Sequence, residues 1–293
     1  MSEHIEPGDR NSSITRVWPV FLQLLDQDPA DEGWLRDLLV FVGQTSDLAS
    51  QMSKSDCVLA HDLRRERLSS RYRPAIRLPR CLEYDAPAPE RFLQWLIRHP
   101  EQLNWGALAS SSDPISETEM RRKQLRAGDQ ETIAVALENL ALLGSRDSAR
   151  RWWVFEGPTS IDCFIETQDF VIAIEGKRTE GGPSPSTSWF KQRDQIARNL
   201  EVVQSLACGR RYGALLVVEN ESELSTADHG SLAKYIAPSL PHYDTNESDF
   251  LASHFLGSIT WRQLCTATRL NFDSLPERSG DFYRAYASRL VVE

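Results

Sequence analysis

The sequence predicts an α/β fold, a mixed central sheet with helices on both sides, preceded by a mainly helical N-terminal region. Three observations carry this expectation. Between residues 152 and 177 the chain runs through short segments rich in β-branched and aromatic residues, whereas the segments before and after repeat their apolar residues at helical spacing. Ala214-Leu215-Leu216-Val217-Val218 is apolar throughout, the pattern of a strand covered on both faces. The resulting order of helix, three strands, helix and strand calls for helices on both faces of one sheet.

Each element follows in order. Residues 1–13 read as a loose tail. In the region 14–110, Trp34, Leu35, Leu38, Leu39 and Val40 cluster at helical spacing behind the start signal Asp28-Pro29-Ala30-Asp31. Residues 64–80 are rich in arginine and proline without a period and read as connecting structure. Phe92, Leu93, Leu96 and Ile97 form the buried stripe of a further helix. The polar stretch 107–116 marks a boundary, after which 117–293 is expected to form the α/β domain, with its core at 128–218. A helix is expected over 128–143, strands over 152–155, 160–165 and 170–177, and a helix over 190–207 carrying Ile196, Leu200, Val203 and Ala207 on one side. Residues 179–188, with two adjacent glycines and two prolines, suit a loop that orders over a bound substrate. Beyond the strand at 214–218, helical pieces are expected around Ser231 and Trp261, with a strand over 257–260.

The chain carries 33 basic and 42 acidic residues over 293 positions, a net charge of −9, which argues against a protein that coats nucleic acid by overall positive charge. A local basic face is another matter: between Arg121 and Arg211 there are 14 basic and 12 acidic residues, so this segment is +2 and the remainder −11. No basic segment followed by an apolar run opens the chain, and no apolar stretch approaches the roughly 20 residues that span a bilayer. The cysteines at 57, 81, 163, 208 and 265 never form a CxxC pair, and no histidine sits at ligand spacing from another or from a cysteine. A disulfide framework and a structural zinc site are both poor fits. A cytoplasmic protein with reduced thiols and no membrane partner is expected.

The informative chemistry is Ile161-Asp162, followed thirteen residues later by Glu175-Gly176-Lys177. Side chains alternate along a strand, so Glu175 and Lys177 share a face. Val171-Ile172-Ala173-Ile174 ahead of them is too apolar for a surface strand. A carboxylate and an ammonium at the end of a buried strand are costly unless paired or coordinated. A neighbouring strand carrying Asp162 can set a second carboxylate beside Glu175. A hard cation such as Mg²⁺, with Mn²⁺ as substitute, resolves the repulsion, polarises a phosphate and acidifies a bound water. Without such a fold around them, Glu175 and Lys177 reduce to a solvated ion pair at a strand end.

This stretch resembles the PD-(D/E)XK nuclease superfamily, which includes restriction endonucleases, junction resolvases and repair exonucleases. The resemblance covers residues 128–218 and implies a restriction-endonuclease-like core, with Asp162 and Glu175 as metal ligands and Lys177 as the catalytic lysine. It implies a Mg²⁺-dependent nuclease acting on nucleic acid, with DNA the expected substrate. Ile161 departs from the family's proline, and Gly176 stands where the middle residue is commonly apolar. The family often adds a glutamate from the preceding helix as a further metal ligand. Glu131 fits that place, with Glu138 as its rival. It also uses a glutamine from the following helix, for which Gln192 and Gln195 are candidates. Asn199 lies along the same edge as Gln195, while Lys191, Asp194, Arg198 and Glu201 are expected on the solvated side. Arg121-Arg122-Lys123 reads as a solvated charge run, and Trp152-Trp153 as straddling the two faces of the first strand. Repair, restriction and defence roles, a homodimer and a larger complex are all compatible with the sequence. The alternative is a nuclease-fold module that binds nucleic acid or a protein partner without cutting.

Overall fold

Seven consecutive residues, Phe170–Gly176, are all buried, and this strand is the axis of the molecule. The computed structural model describes residues 11–27, 33–45, 84–86, 88–107, 116–140, 152–166, 170–179, 183–223 and 229–290. Among these, a π-helical turn at Ser13–Val17 leads into α1 (Trp18–Gln27), followed by α2 (Gly33–Thr45), β1 (Tyr84–Ala86), α3 (Glu90–Arg98), α4 (Glu117–Arg126) and α5 (Gln130–Asn139). Then come β2 (Thr159–Ile161), β3 (Cys163–Glu166), β4 (Phe170–Gly176), α6 (Gln195–Ala207) and β5 (Arg211–Val218). The described chain closes with α7 (His229–Ile236), α8 (Thr245–Ala252), β6 (Phe255–Thr260), α9 (Trp261–Ala267) and α10 (Ser279–Leu290).

The four strands β3-β4-β5-β6 form one mixed sheet, antiparallel between β3 and β4 and parallel across β4, β5 and β6. Alternation along β4 sorts its side chains between two cores. Ile172 and Ile174 join Leu215 and Val217 of β5 against Val17, Phe21 and Leu24 from the N-terminus, α2, α9 and Phe282 of α10. Val171 and Ala173 join Leu216 and Val218 against α6, α7 and α8. The molecule is therefore an α/β protein whose mixed sheet is flanked by helices. A third cluster, built on Phe92, Leu96, Trp152, Trp153, Phe155 and Phe190, sits beside the second. N-terminal residues thus form part of the cover of the sheet itself.

Several sequence expectations need correction. Residues 152–155 form turn and coil rather than a strand, because Trp152, Trp153 and Phe155 are all buried in the third cluster, and β4 already has β3 and β5 as its partners. The strand expected over 160–165 is split at Asp162: β2 pairs antiparallel with β1, whereas β3 pairs with β4. The helix expected from 190 starts at Gln195, because Asp194 caps it, its Oδ1 accepting from the Ile196 and Ala197 N–H groups at 2.7 and 3.4 Å. Phe190 packs instead edge-on to Phe92. The helix expected over 128–143 begins at Gln130 behind its Asp129 cap, and residues 141–143 lie outside the described residues, as do 64–80. Arg121 and Arg122 are not plainly solvated: Arg122 donates to the Trp152 carbonyl at 2.9 Å and lies over Trp189, while Arg121 pairs with Glu117.

Gly176, the unusual middle residue of the Glu-Gly-Lys run, has a steric reason. A Cβ there would lie 2.6 Å from Val17 Cγ2 and 2.7 Å from Trp261 Cζ2. Only glycine lets the π-helical turn and α9 close over this strand end. Gly176→Ala is expected to destabilise the fold by about 1–3 kcal/mol through overpacking. Urea unfolding of the two proteins measures the difference, and equal midpoints would refute the account.

Candidate metal centre

The register of β3 with β4, in which Cys163 faces Ile174, carries Asp162 to the position opposite Glu175 at the next step. Residues opposite each other in an antiparallel pair project to the same side. Glu175 is 2% exposed on the face covered by α6, and Lys177 follows on that same face at 9%. The motif also lies where β4 ends, the edge of parallel strands at which α/β proteins bind their ligands.

The contacts are specific. Lys177 Nζ lies 2.7 Å from Glu175 Oε1 and 3.3 Å from Gln195 Oε1. Asn199 Nδ2 donates to Glu175 Oε2 at 3.2 Å. Gln195 stands in the first turn of α6 and also accepts from the Ser184 N–H at 3.1 Å, which ties the loop after β4 to the site. Asp162 is held at both oxygens: the Gly176 N–H donates to Oδ2 at 2.8 Å, and the Ser13 hydroxyl to Oδ1 at 3.3 Å. Burial, then the adjacent Glu175 charge, holds the Asp162 carboxyl well above the usual carboxylate range, against the pull of the Gly176 N–H and Lys177.

Of the residues singled out in the sequence, Asp162, Glu175, Lys177 and Gln195 are therefore brought together. Glu131 and Glu138 are not: both are exposed on α5, which packs against α3 and α4. Gln192 is exposed ahead of the helix, and it is its main-chain carbonyl that accepts the Ser239 hydroxyl. Of the loop over 179–188, residues 180–182 lie outside the described residues. Two contributors escaped the sequence reading. Asn199 stood on the right helix edge but carried no family expectation. Ser13 lies 149 residues from its partner, in a segment read as tail, and only its Ser-Ser context hinted at polar work.

A divalent cation fits this donor set. The Asp162 carboxyl, raised by burial and then by the neighbouring Glu175 charge, is repelled by Glu175 when ionised, and a hard ion between the two would relieve that repulsion. Mg²⁺ is commonly held by one or two carboxylates, with water and phosphate oxygens filling its remaining positions. No group of three or more histidine, cysteine, aspartate or glutamate residues suited to a metal occurs among the described residues, and of these the carboxylates found at this place are Asp162 and Glu175. Cys163, Cys208 and Cys265 are free thiols, and burial pushes Cys163 far up, as an inert core cysteine.

Behind the centre lies a second polar cluster that the sequence did not disclose. Glu201, Asp194 and Arg198 were expected on a solvated side. Instead Glu201 is 1% exposed, Asp194 is buried as a cap, and Arg198 is partly buried. Arg193, fully buried, reaches both Glu156 oxygens at 3.1 Å through Nε, Glu201 at 2.5 Å and the Ser239 carbonyl at 2.8 Å through Nη1. His242 Nε2 closes the network at 2.6 Å from Glu201. Burial pushes Glu156 up despite Arg193. Burial acts upward on Glu201 too, yet Arg193 and His242 outweigh it and leave that carboxyl below its ordinary value. This network fixes the helix that carries Gln195 and Asn199.

No helix among the described residues is long and apolar enough to cross a membrane. The chain matches no protein-family model, no curated protein and no solved structure.

Proposed function

We propose that this protein is a metal-dependent nuclease that hydrolyses phosphodiester bonds of nucleic acid, DNA being the expected substrate, on a restriction-endonuclease-like core. The observation that carries the reading is the meeting of Asp162, Glu175 and Lys177 on one buried face at the end of β4. The order α5, β2, β3, β4, α6, β5, with β3 antiparallel and β5 parallel to β4, supports it.

In this reading Asp162 and Glu175 hold Mg²⁺ or Mn²⁺. The ion supplies Lewis-acid polarisation of a phosphate oxygen and a lowered pKa for a bound water. Lys177, held between Glu175 and Gln195, places its ammonium where a water would be oriented and where charge builds on the phosphate. Asn199 keeps Glu175 turned toward Asp162. A cytoplasmic location and assembly as a homodimer or within a larger complex belong to the same proposal.

A second reading has an observation of its own: Glu175 is already satisfied by Lys177 and Asn199, so the motif is electrically balanced without a metal. That balance favours a nuclease-fold module that binds nucleic acid or a protein partner without cutting. Labelled single-stranded, double-stranded and branched DNA, and RNA, incubated with Mg²⁺, Mn²⁺ or EDTA, separate the two. Cleavage that needs the divalent ion is expected. Equal binding in all three conditions with nothing cut would hand the function to the binding module.

A further inference from the structure

Asp162 draws one of its two hydrogen bonds from outside the sheet, and three features show how firmly its donor is installed. Ser13 is 9% exposed, so its hydroxyl is no ordinary surface group. It stands in a π-helical turn, Ser13–Val17, a wide turn that is rare and concentrated at functional sites. The far end of that turn is clamped beside the same sheet edge. Arg16, 1% exposed, donates through Nε to Glu219 Oε2 at 2.8 Å, through Nη2 to Glu219 Oε1 at 2.5 Å, and through Nη1 to the Pro276 carbonyl at 2.9 Å. Glu219 directly follows β5. Val17, the last residue of the turn, occupies the space that the glycine at 176 leaves open. The motif's middle side chain is thus given up to seat the segment that carries Ser13.

We propose that Ser13 is a positioning residue of the carboxylate site. Its hydroxyl and the Gly176 N–H hold Asp162 from two sides, fix that carboxyl opposite Glu175, and so set the spacing of the oxygens offered to a divalent cation. The inference rests on the metal-site reading above and extends the site to a segment outside the expected nuclease core. Hydrogen bonds that orient a metal's ligands are commonly worth about 10–100-fold in metal affinity. Ser13→Ala in the full chain should therefore weaken Mn²⁺ uptake, read from the free-ion electron paramagnetic resonance signal, by about tenfold or more. Its thermal midpoint without metal should stay close to that of the wild type. Ser13→Cys fills the same space with a poor donor and should behave alike, which keeps the test open if the alanine variant does not fold. Mn²⁺ affinity equal to wild type in either folded variant overturns the role of Ser13 while leaving the metal site standing. Wild-type protein that takes up no Mn²⁺ overturns both.

Discussion

Glutamine in place of Glu175 is expected to lower divalent-ion-dependent cleavage by about 10²-fold or more while leaving the fold intact. Lewis-acid stabilisation of the transition state is worth several kcal/mol, and about 1.4 kcal/mol is already tenfold in rate. Glutamine is the informative replacement because Glu175 is buried between Lys177 and Asn199. Alanine would strand both partners, whereas the amide fills the same volume and keeps one acceptor oxygen for one of the two donors. It cannot supply the charge. Lys177→Met should likewise stop turnover yet leave Mn²⁺ uptake nearly unchanged, since an ammonium is not a ligand. Single-turnover rates and Mn²⁺ titrations of the two variants test this pairing. Wild-type cleavage by Glu175→Gln would remove the carboxylate pair from the chemistry altogether.

Arg193→Met should have the largest effect on stability, a loss of about 3–5 kcal/mol at neutral pH, the usual result of removing one partner from a buried ionic set. Arg193 is the shared cation of Glu156 and Glu201, and all three side chains are nearly inaccessible. The sign of the pH dependence follows from the two carboxyls. Glu201 lies below its ordinary value in the folded protein. Its stabilisation is therefore complete above that ordinary value and is lost only as pH falls through the depressed one. Glu156, raised by burial, works the other way, and its unfavourable contribution at neutral pH is relieved as pH falls. Without the guanidinium both carboxyls should titrate at higher pH, so acidification lets the variant discharge them. The stability gap between wild type and Arg193→Met should therefore narrow from pH 7 toward the ordinary carboxylate range. Urea unfolding across that range measures it, and a gap that widens would contradict the assignment of the charges.

What the sequence could disclose depended on whether a residue's partner lay within one element. The apolar run of β4, ending in Glu175 and Lys177, announced both a buried strand and an unusual demand for charge at its end. The stripe of α6 was equally local, and Gln195 could be placed on its edge. Asp162 could be paired with Glu175, but the break in the strand at Asp162 could not be seen, because β1 as the partner of β2 lies more than seventy residues upstream. The aromatic residues Trp152, Trp153 and Phe155 mimicked a strand, since enrichment of such side chains reports a surface that packs well rather than a ladder that forms. Glu201 and Arg198 looked solvated for a related reason. Charge at helical spacing usually faces water, and nothing within α6 reveals Glu156 or His242, 37 and 41 residues from their partners. Asp194 carried a legible cap signal, but Phe190 mimicked the continuing apolar period and hid it.

The clamp on the N-terminal turn also sets an order in time. Ser13 and Arg16 precede their partners Asp162, Glu219 and Pro276 by 149, 203 and 260 positions. On a ribosome adding about 5–20 residues per second, a separation of that size means on the order of 10–50 s before the last of these contacts exists. Until β3, β4 and β5 have been made, Val17, Val20, Phe21 and Leu24 have no sheet to cover, and contacts this distant along the chain form slowly even afterwards. The carboxylates at 162 and 175 can meet as soon as one short hairpin closes. The nascent chain therefore assembles its charged pair early and finishes the enclosure around it last.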